Sequence, residues 1–200
     1  MPLIGDHAPE FHAMTTQGKI DFPADYKGSW VVLFSHPADF TPVCTTEFIA
    51  LSRMNETFES LNTKLIGLSI DSLHSHLGWI KSIEALNFNN EGKVKIPFPI
   101  IADISMNVAR KYGMLQTVAN TQTVRAVFII DPEGMIRTIL YYPMSTGRNI
   151  PEIIRILQSL QLNDKTHYST PANWQPGDAV VMGAPLTIEE AQERLESSDN

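Results

Sequence analysis

Only one cysteine, Cys44, stands in the 200 residues. A single thiol cannot close an intrachain disulfide, so the chain is not a small secreted domain held together by bridges. Basic residues are also scarce: 15 Lys and Arg face 22 Asp and Glu, a formal net charge of −7. No basic run makes a local exception, so phosphate backbones and anionic bilayers find no attractive field, and neither nucleic acid nor a membrane is an expected partner. Long apolar runs are missing as well, and none approaches the roughly 20 residues that span a bilayer. The opening Met1-Pro2-Leu3-Ile4-Gly5-Asp6 lacks the basic region and apolar stretch of a secretion signal, and a reducing cytoplasm is the expected location. What remains is 43% hydrophobic and 18% charged, the composition of a folded globular protein. This length is enough for a sizeable core, expected as one domain with an appended arm.

The cysteine lies within Ser35-His36-Pro37-Ala38-Asp39-Phe40-Thr41-Pro42-Val43-Cys44-Thr45-Thr46-Glu47-Phe48. Before this segment, Trp30-Val31-Val32-Leu33-Phe34 reads as a buried strand. After it, Cys44, Phe48, Leu51, Asn55, Phe58 and Leu61 recur at spacings of three and four, the period of a helix with one apolar face. The sulfur is therefore expected in a first helical turn, where unpaired backbone N–H groups and the helix dipole favour thiolate over thiol. Thr41, three residues earlier, is placed to cap the helix or to donate to the sulfur. Pro37 and Pro42 stiffen the approach. Each feature has a plainer reading: a lone cysteine is often a small buried hydrophobe, and a threonine before a helix only a cap.

Along the chain, Ile4 to Phe11 and Met14 to Ile20 read as extended pieces around a Gln-Gly turn that cap the main sheet. Lys64 to Asp71 is a second branched strand, followed by Ser72 as helix cap and an apolar stripe of Leu73, Leu77, Ile80 and Ile83. Strand, helix, strand, helix order implies parallel strands. Asn87 to Ile96 reads as a surface loop and Phe98 to Ala102 as a short buried strand. Asp103 or Ser105 is expected to cap a helix that Gly113 stops. Arg125 to Asp131 and Met135 to Tyr141 form a hairpin around Pro132-Glu133-Gly134, and Ile153, Ile154, Leu157 and Leu160 share one face of a long helix. After Leu162 the composition turns polar and turn-rich, giving expected domains at 1–162 and 163–200. Thr187-Ile188-Glu189-Glu190 has the form of a capping box.

The Pro37-x-x-x-Thr41-x-x-Cys44 spacing on a strand-to-helix turn, flanked by Phe40, Val43 and Glu47, resembles the active-site signature of the peroxiredoxins. Thr170-Pro171-Ala172-Asn173-Trp174 with Gly177-Asp178, Thr146-Gly147-Arg148-Asn149, and His36 before Pro37 are similar to the one-cysteine subfamily. The resemblance implies an α/β thioredoxin-like fold with a small C-terminal dimerisation arm, and a homodimer; whether dimers assemble further stays open. It implies a thiol-dependent peroxidase that reduces hydrogen peroxide and organic hydroperoxides through a sulfenic acid on Cys44. Arg125 matches the arginine that lies against the sulfur, Arg148 a second arginine and Glu47 the acid that orients both. Thr41 and the Cys44 N–H would supply donors, Pro37 would shield the pocket and His36 would steer protonation or contact a sulfenate. With no second cysteine, an outside thiol must return the sulfenic acid to thiol, and glutathione, glutaredoxin or thioredoxin are the family's candidates.

Taken singly, Arg125, Arg148 and Glu47 read as surface pairs or a dipole-favoured acid. Their joint match points to the site. A disulfide oxidoreductase would need Cys-x-x-Cys, and Thr41 occupies the first of those positions. Lipase chemistry, described for vertebrate one-cysteine relatives, is not expected: Lys27-Gly28-Ser29-Trp30-Val31 lacks the second glycine, and Pro23 stands at the aligned histidine. No cofactor is expected. No metal site is expected either, because His74-x-His76 at an exposed helix start lacks supporting ligands. The alternative of another class is a redox sensor, relay or holdase using the same cysteine.

Overall fold

The structure, a computed structural model, describes residues 1–115, 122–185 and 187–197. They fall into two compact units, Met1–Ile150 and Pro151–Asn200. The first is built on seven strands: β1 Phe11–Thr15, β2 Gly18–Phe22, β3 Trp30–Ser35, β4 Thr63–Ser69, β5 Ile100–Ala102, β6 Arg125–Ile130 and β7 Ile136–Tyr142. Their spatial order is β2-β1-β5-β4-β3-β6-β7. Helices α1 Pro42–Arg53, α2 Asn55–Ser60, α3 Leu73–Ala85 and α4 Asn107–Tyr112 connect them. Strands β3, β4 and β5 run parallel, as strands joined through helices must when the chain returns to the same end. The β6–β7 hairpin is antiparallel, and Gly134 in its turn adopts φ 84°.

Two expectations change. Residues Phe11 to Phe22 do not cap the sheet but extend it, because β1 pairs antiparallel with β5 at Thr15 and Ile101. Backbone and side chain of Thr16 hold the junction, its N–H donating to Ile100 O and its Oγ1 accepting from Ile100 N, each at 3.1 Å. The helix beyond Cys44 is also not continuous. It breaks at Met54 (φ −93°, ψ 2°) into α1 and α2, while Phe48, Leu51 and Phe58 stay buried on the sheet side of the break.

Every side chain of β3 is buried, since the strand lies between β4 and β6 with both faces covered. On one face Val31 and Leu33 join Phe11, Phe22, Tyr112 and Phe128. On the other, Phe34, Phe48 and Phe98 lie with ring centroids 5.5–5.7 Å apart, and Trp79 of α3 is 4.6 Å from Phe48. Side chains alternate along a strand, so His36 falls on the Phe34 face. Its ring is 4.9 Å from both Phe48 and Trp79.

The second unit contains all but the first residue of α5, Ile150–Thr166, and α6, Ile188–Ser197. Between them, Ser169 and Val181 pair antiparallel. The Pro171 to Asp178 segment folds over a buried Trp174, whose Nε1 donates to Asp178 O at 3.2 Å. The Asp178 carboxylate in turn accepts from Gln175 N at 2.8 Å. Thr187 caps α6, its Oγ1 accepting from Glu190 N at 3.1 Å.

Candidate active site

Thr41 occupies the residue before α1 in extended conformation (φ −98°, ψ 147°), and Pro42 is the first helical residue. Proline suits that position because the N–H it lacks would have no intrahelical acceptor. Cys44 follows in the first turn, fully buried. Its own N–H is one of the donors that a helix start leaves unpaired. Ahead of the helix, Phe40 takes φ 58°, a left-handed conformation that costs a phenylalanine about 1–3 kcal/mol and persists only where surroundings fix it. The Thr41 hydroxyl helps to fix it by donating to Ala38 O at 2.9 Å. That contact corrects the sequence expectation. Thr41 makes no side-chain cap, and its single hydroxyl hydrogen is committed to Ala38 O, leaving the oxygen as an acceptor. Pro37, in the same loop, is buried.

Arg125 opens β6 and is almost wholly buried. Its Nη1 donates to Cys44 Sγ at 3.3 Å and to Glu47 Oε2 at 2.8 Å. Its Nε and Nη2 converge on Met144 O at 3.0 and 2.8 Å. The planar fork is thus gripped on one edge by a carbonyl and presents the other to the sulfur. Glu47, one turn after Cys44, is the hub. Its Oε1 accepts from Arg148 N and Nε at 2.9 and 3.0 Å, and its Oε2 from Arg148 Nη2 at 2.6 Å as well as from Arg125. Arg148 Nη1 also donates to Ser35 O at 2.9 Å and Ala126 O at 3.1 Å, and its guanidinium stacks over Phe34. All three guanidinium nitrogens of Arg148 and both oxygens of the Glu47 carboxylate are therefore satisfied in a dry environment. In charge terms, two guanidiniums meet one carboxylate, which leaves a net positive charge beside the sulfur.

His36 is buried beside this network and bonds through Nε2 to Asp39 Oδ1 at 2.9 Å. Burial pushes its pKa down, against the pull of the Asp39 carboxylate. Burial would raise Asp39, but hydrogen bonds from His36 and His76 prevail and hold it well below the usual carboxylate range. Asp39 N donates to Asp71 Oδ2 at 3.0 Å, which ties the loop before Cys44 to the end of β4. His76 overturns the expectation for α3. It is fully buried, with Nδ1 2.9 Å from Asp39 Oδ2, whereas Leu77, assigned to the apolar stripe, is 40% exposed. The buried stripe is His76, Trp79 and Ile83. That phase was readable from the spacing of Trp79 and Ile83 had His76 been counted with them. The supporting ligands that His76 was expected to lack are therefore present as Asp39 and His36, whose nearest donor atoms lie within 4.8 Å of one another.

The family model described as the AhpC/TSA family matches residues 4–139, and that of the C-terminal domain of 1-Cys peroxiredoxin matches residues 159–198. A peroxiredoxin of Methanosarcina mazei is 60% identical over 197 residues, covering 98% of this chain and 90% of that protein. A yeast mitochondrial 1-Cys peroxiredoxin, solved in a study of thiol resolution through glutathione/thioredoxin systems, superposes with TM-score 0.86 at 44% identity over 96% of this chain and 92% of its own. A cysteine-to-serine mutant of the peroxiredoxin 6 of Arenicola marina gives TM-score 0.86 at 39% identity, covering 96% of this chain and 89% of its own. Likeness of this extent, carried through both the sheet unit and the tail around a single cysteine, makes the chain a member of the peroxiredoxin family of thiol-dependent peroxidases, with the thioredoxin-like fold and the 1-Cys type of C-terminal domain.

Proposed function

We propose that Cys44 reduces hydrogen peroxide and organic hydroperoxides in two half-reactions, the second using an outside thiol. The observation that carries this reading is the 3.3 Å contact of Arg125 Nη1 with Cys44 Sγ, braced by Glu47. In the first half-reaction the Cys44 thiolate attacks the terminal oxygen of R–O–O–H. The S–O bond forms, the O–O bond breaks, and the departing R–O⁻ takes up a proton to leave as ROH. Arg125 retains one Nη2 hydrogen beyond those given to Met144 O, and the Cys44 N–H adds another donor, so the charge moving onto oxygen meets fixed dipoles instead of mobile water. Thr41 Oγ1 accepts from the peroxide hydroxyl, while Pro37 keeps water off the sulfur. Arg148 and Glu47 hold the donors in place.

In the second half-reaction an outside thiol displaces hydroxide from the sulfenic sulfur, and a proton completes the water. A second thiol then attacks the mixed disulfide and returns Cys44 to its thiol, leaving the outside pair oxidised. The solitary cysteine supports this route, since no partner thiol exists within the chain. Glutathione, glutaredoxin and thioredoxin are the reductants proposed, and a reducing cytoplasm the location. Among the described residues no helix is long and apolar enough to cross a membrane. Steady-state peroxide consumption with each reductant is expected to continue over many turnovers and to vanish in Cys44→Ser. One stoichiometric turnover followed by a stall would instead identify a sensor or relay.

The same proposal takes residues 1–162 as the peroxidase domain and 163–200 as an arm that serves a homodimer. Strand β7 supports it, for it lies at the edge of the sheet, where beyond Ile136, whose N–H and carbonyl bond Asp6 O and Gly5 N, no further strand pairs with it among the described residues. Sedimentation equilibrium is expected to give twice the 22.3 kDa of the chain, and a monomer at all concentrations would refute the arm's role.

A further inference from the structure

Strands β3 and β6 pair residue by residue from Val31 with Ile130 to Phe34 with Val127, and there the ladder stops. The same register would next set Ser35 against Ala126 and His36 against Arg125, yet no further backbone pair joins the two strands among the described residues. Side chains satisfy the peptide groups left over. Ser35 Oγ donates to Val124 O at 2.6 Å and accepts from Ala126 N at 3.2 Å. Arg148 Nη1 lies between Ser35 O and Ala126 O. Thr123 Oγ1 donates to His36 O at 2.5 Å, while His36 N turns to Leu68 O on β4. Ser35 and Thr123 are both fully buried, so water does not compete for these bonds.

Two of the bonds bear directly on Arg125. The carbonyl of Val124 and the N–H of Ala126 belong to the two rigid peptide planes that meet at Arg125 Cα. One hydroxyl holding both planes constrains φ and ψ of Arg125, and with them the direction in which its side chain leaves the strand. The far end is gripped by Met144 O and Glu47, so the side chain is held at root and tip with the sulfur 3.3 Å away. The Thr123 bond ties the same stretch of β6 to His36, where the loop leading to Cys44 begins.

We propose that Ser35 and Thr123 are positioning residues for the peroxide reaction: across the gap where β3 and β6 stop pairing, their hydroxyls hold the backbone of Arg125 so that its guanidinium meets Cys44 Sγ. This role rests on the reading of Cys44 and Arg125 as the reacting pair. Each hydroxyl has its single hydrogen committed to a backbone carbonyl, so neither has one to give to the peroxide, and both act through Arg125. Satisfying buried peptide groups, by itself, would affect stability without any dependence on Arg125.

Rapid mixing of the pre-reduced full chain with hydrogen peroxide, well below the thermal midpoint of every variant, tests this role. Thr123→Val keeps the shape of the side chain and loses the hydroxyl, whereas Thr123→Ser keeps the hydroxyl. Ser35→Ala is expected to lower the second-order rate constant by about 10–10²-fold and Thr123→Val by about 3–10-fold, the cost of an ångström-scale misplacement. Thr123→Ser is expected to restore it. In an Arg125→Gln background, Ser35→Ala and Thr123→Val should lower the rate no more than about twofold further, because the group they place is already gone. Equal fold-losses in the two backgrounds overturn the proposal, as does a Thr123→Ser variant as slow as Thr123→Val. Rates within about twofold of the unaltered enzyme for both Ser35→Ala and Thr123→Val also overturn it. If Ser35→Ala does not fold, the Thr123 pair decides alone. An undiminished rate in Arg125→Gln would overturn the reading of the site and this role with it, whereas a large loss there with equal fold-losses in the two backgrounds overturns this role only.

Discussion

Replacing Arg125 by glutamine is expected to lower the second-order rate constant of reduced enzyme with hydroperoxide by about 10²–10³, the usual cost of losing one preorganised donor at a developing oxyanion. The effect belongs to the chemical step, since Arg125 touches the reacting sulfur at 3.3 Å and retains a hydrogen for the departing oxygen. Burial sharpens it: the side chain is 3% exposed, so neither salt nor water replaces the lost charge. Stability should suffer less than activity, because Glu47 keeps three bonds from Arg148 when Arg125 is gone. Arg125→Lys is expected to fall between, as an ammonium supplies charge but cannot grip Met144 O with two donors while reaching sulfur and carboxylate with a third. Rapid-mixing measurement of peroxide with pre-reduced enzyme isolates this step from the reductant. A loss below tenfold for Arg125→Gln would remove the guanidinium from the mechanism.

Glu47→Gln is expected to reverse the balance and damage the fold first. The carboxylate answers two buried guanidiniums, and its removal leaves Arg148 without a counter-charge and Arg125 with none but the sulfur. Losing one partner of a buried ion pair typically costs about 3–5 kcal/mol, a large share of the roughly 5–15 kcal/mol that holds a domain together. For a chain of this size that corresponds to a thermal midpoint lower by about 6–20 °C. Glutamine is nearly isosteric, so packing is spared and the loss reports charge and hydrogen bonding. The amide hydrogens would also oppose the guanidinium hydrogens, releasing Arg125 from its place at the sulfur. Peroxide reactivity should therefore fall together with stability. A midpoint unchanged in Glu47→Gln would mean that water or backbone carbonyls already carry the two arginines.

The contrast between these variants follows from position. Arg125 bridges the sulfur and the support behind it, whereas Glu47 touches only the support. A residue that braces two others is felt by the whole fold, and one at the reacting atom is felt mainly by the reaction.

Local order was legible in the residues themselves. The apolar run from Trp30 gave a buried strand, and proline with a threonine before it started a helix that put Cys44 in its first turn. These are near-neighbour effects: strand burial, the helical period and the absent N–H of proline act over a few residues. Tertiary structure alone decided the rest. Arg125 lies 78 residues from Glu47 and meets it because β6 lies beside β3 in the sheet, while Arg148, 101 residues away, comes from beyond β7 and bonds Ser35 O and Ala126 O of those same two strands. The Thr41 hydroxyl turned to Ala38 because the strained loop before the helix needed that bond more than the helix needed a cap. His76 joined the site because Asp39 reached across to α3, and a histidine's side of a helix depends on whether a buried acceptor awaits it. Spacing shows which residues can share a face, but the pairing of charges in a dry interior is set by the elements that the sheet brings together.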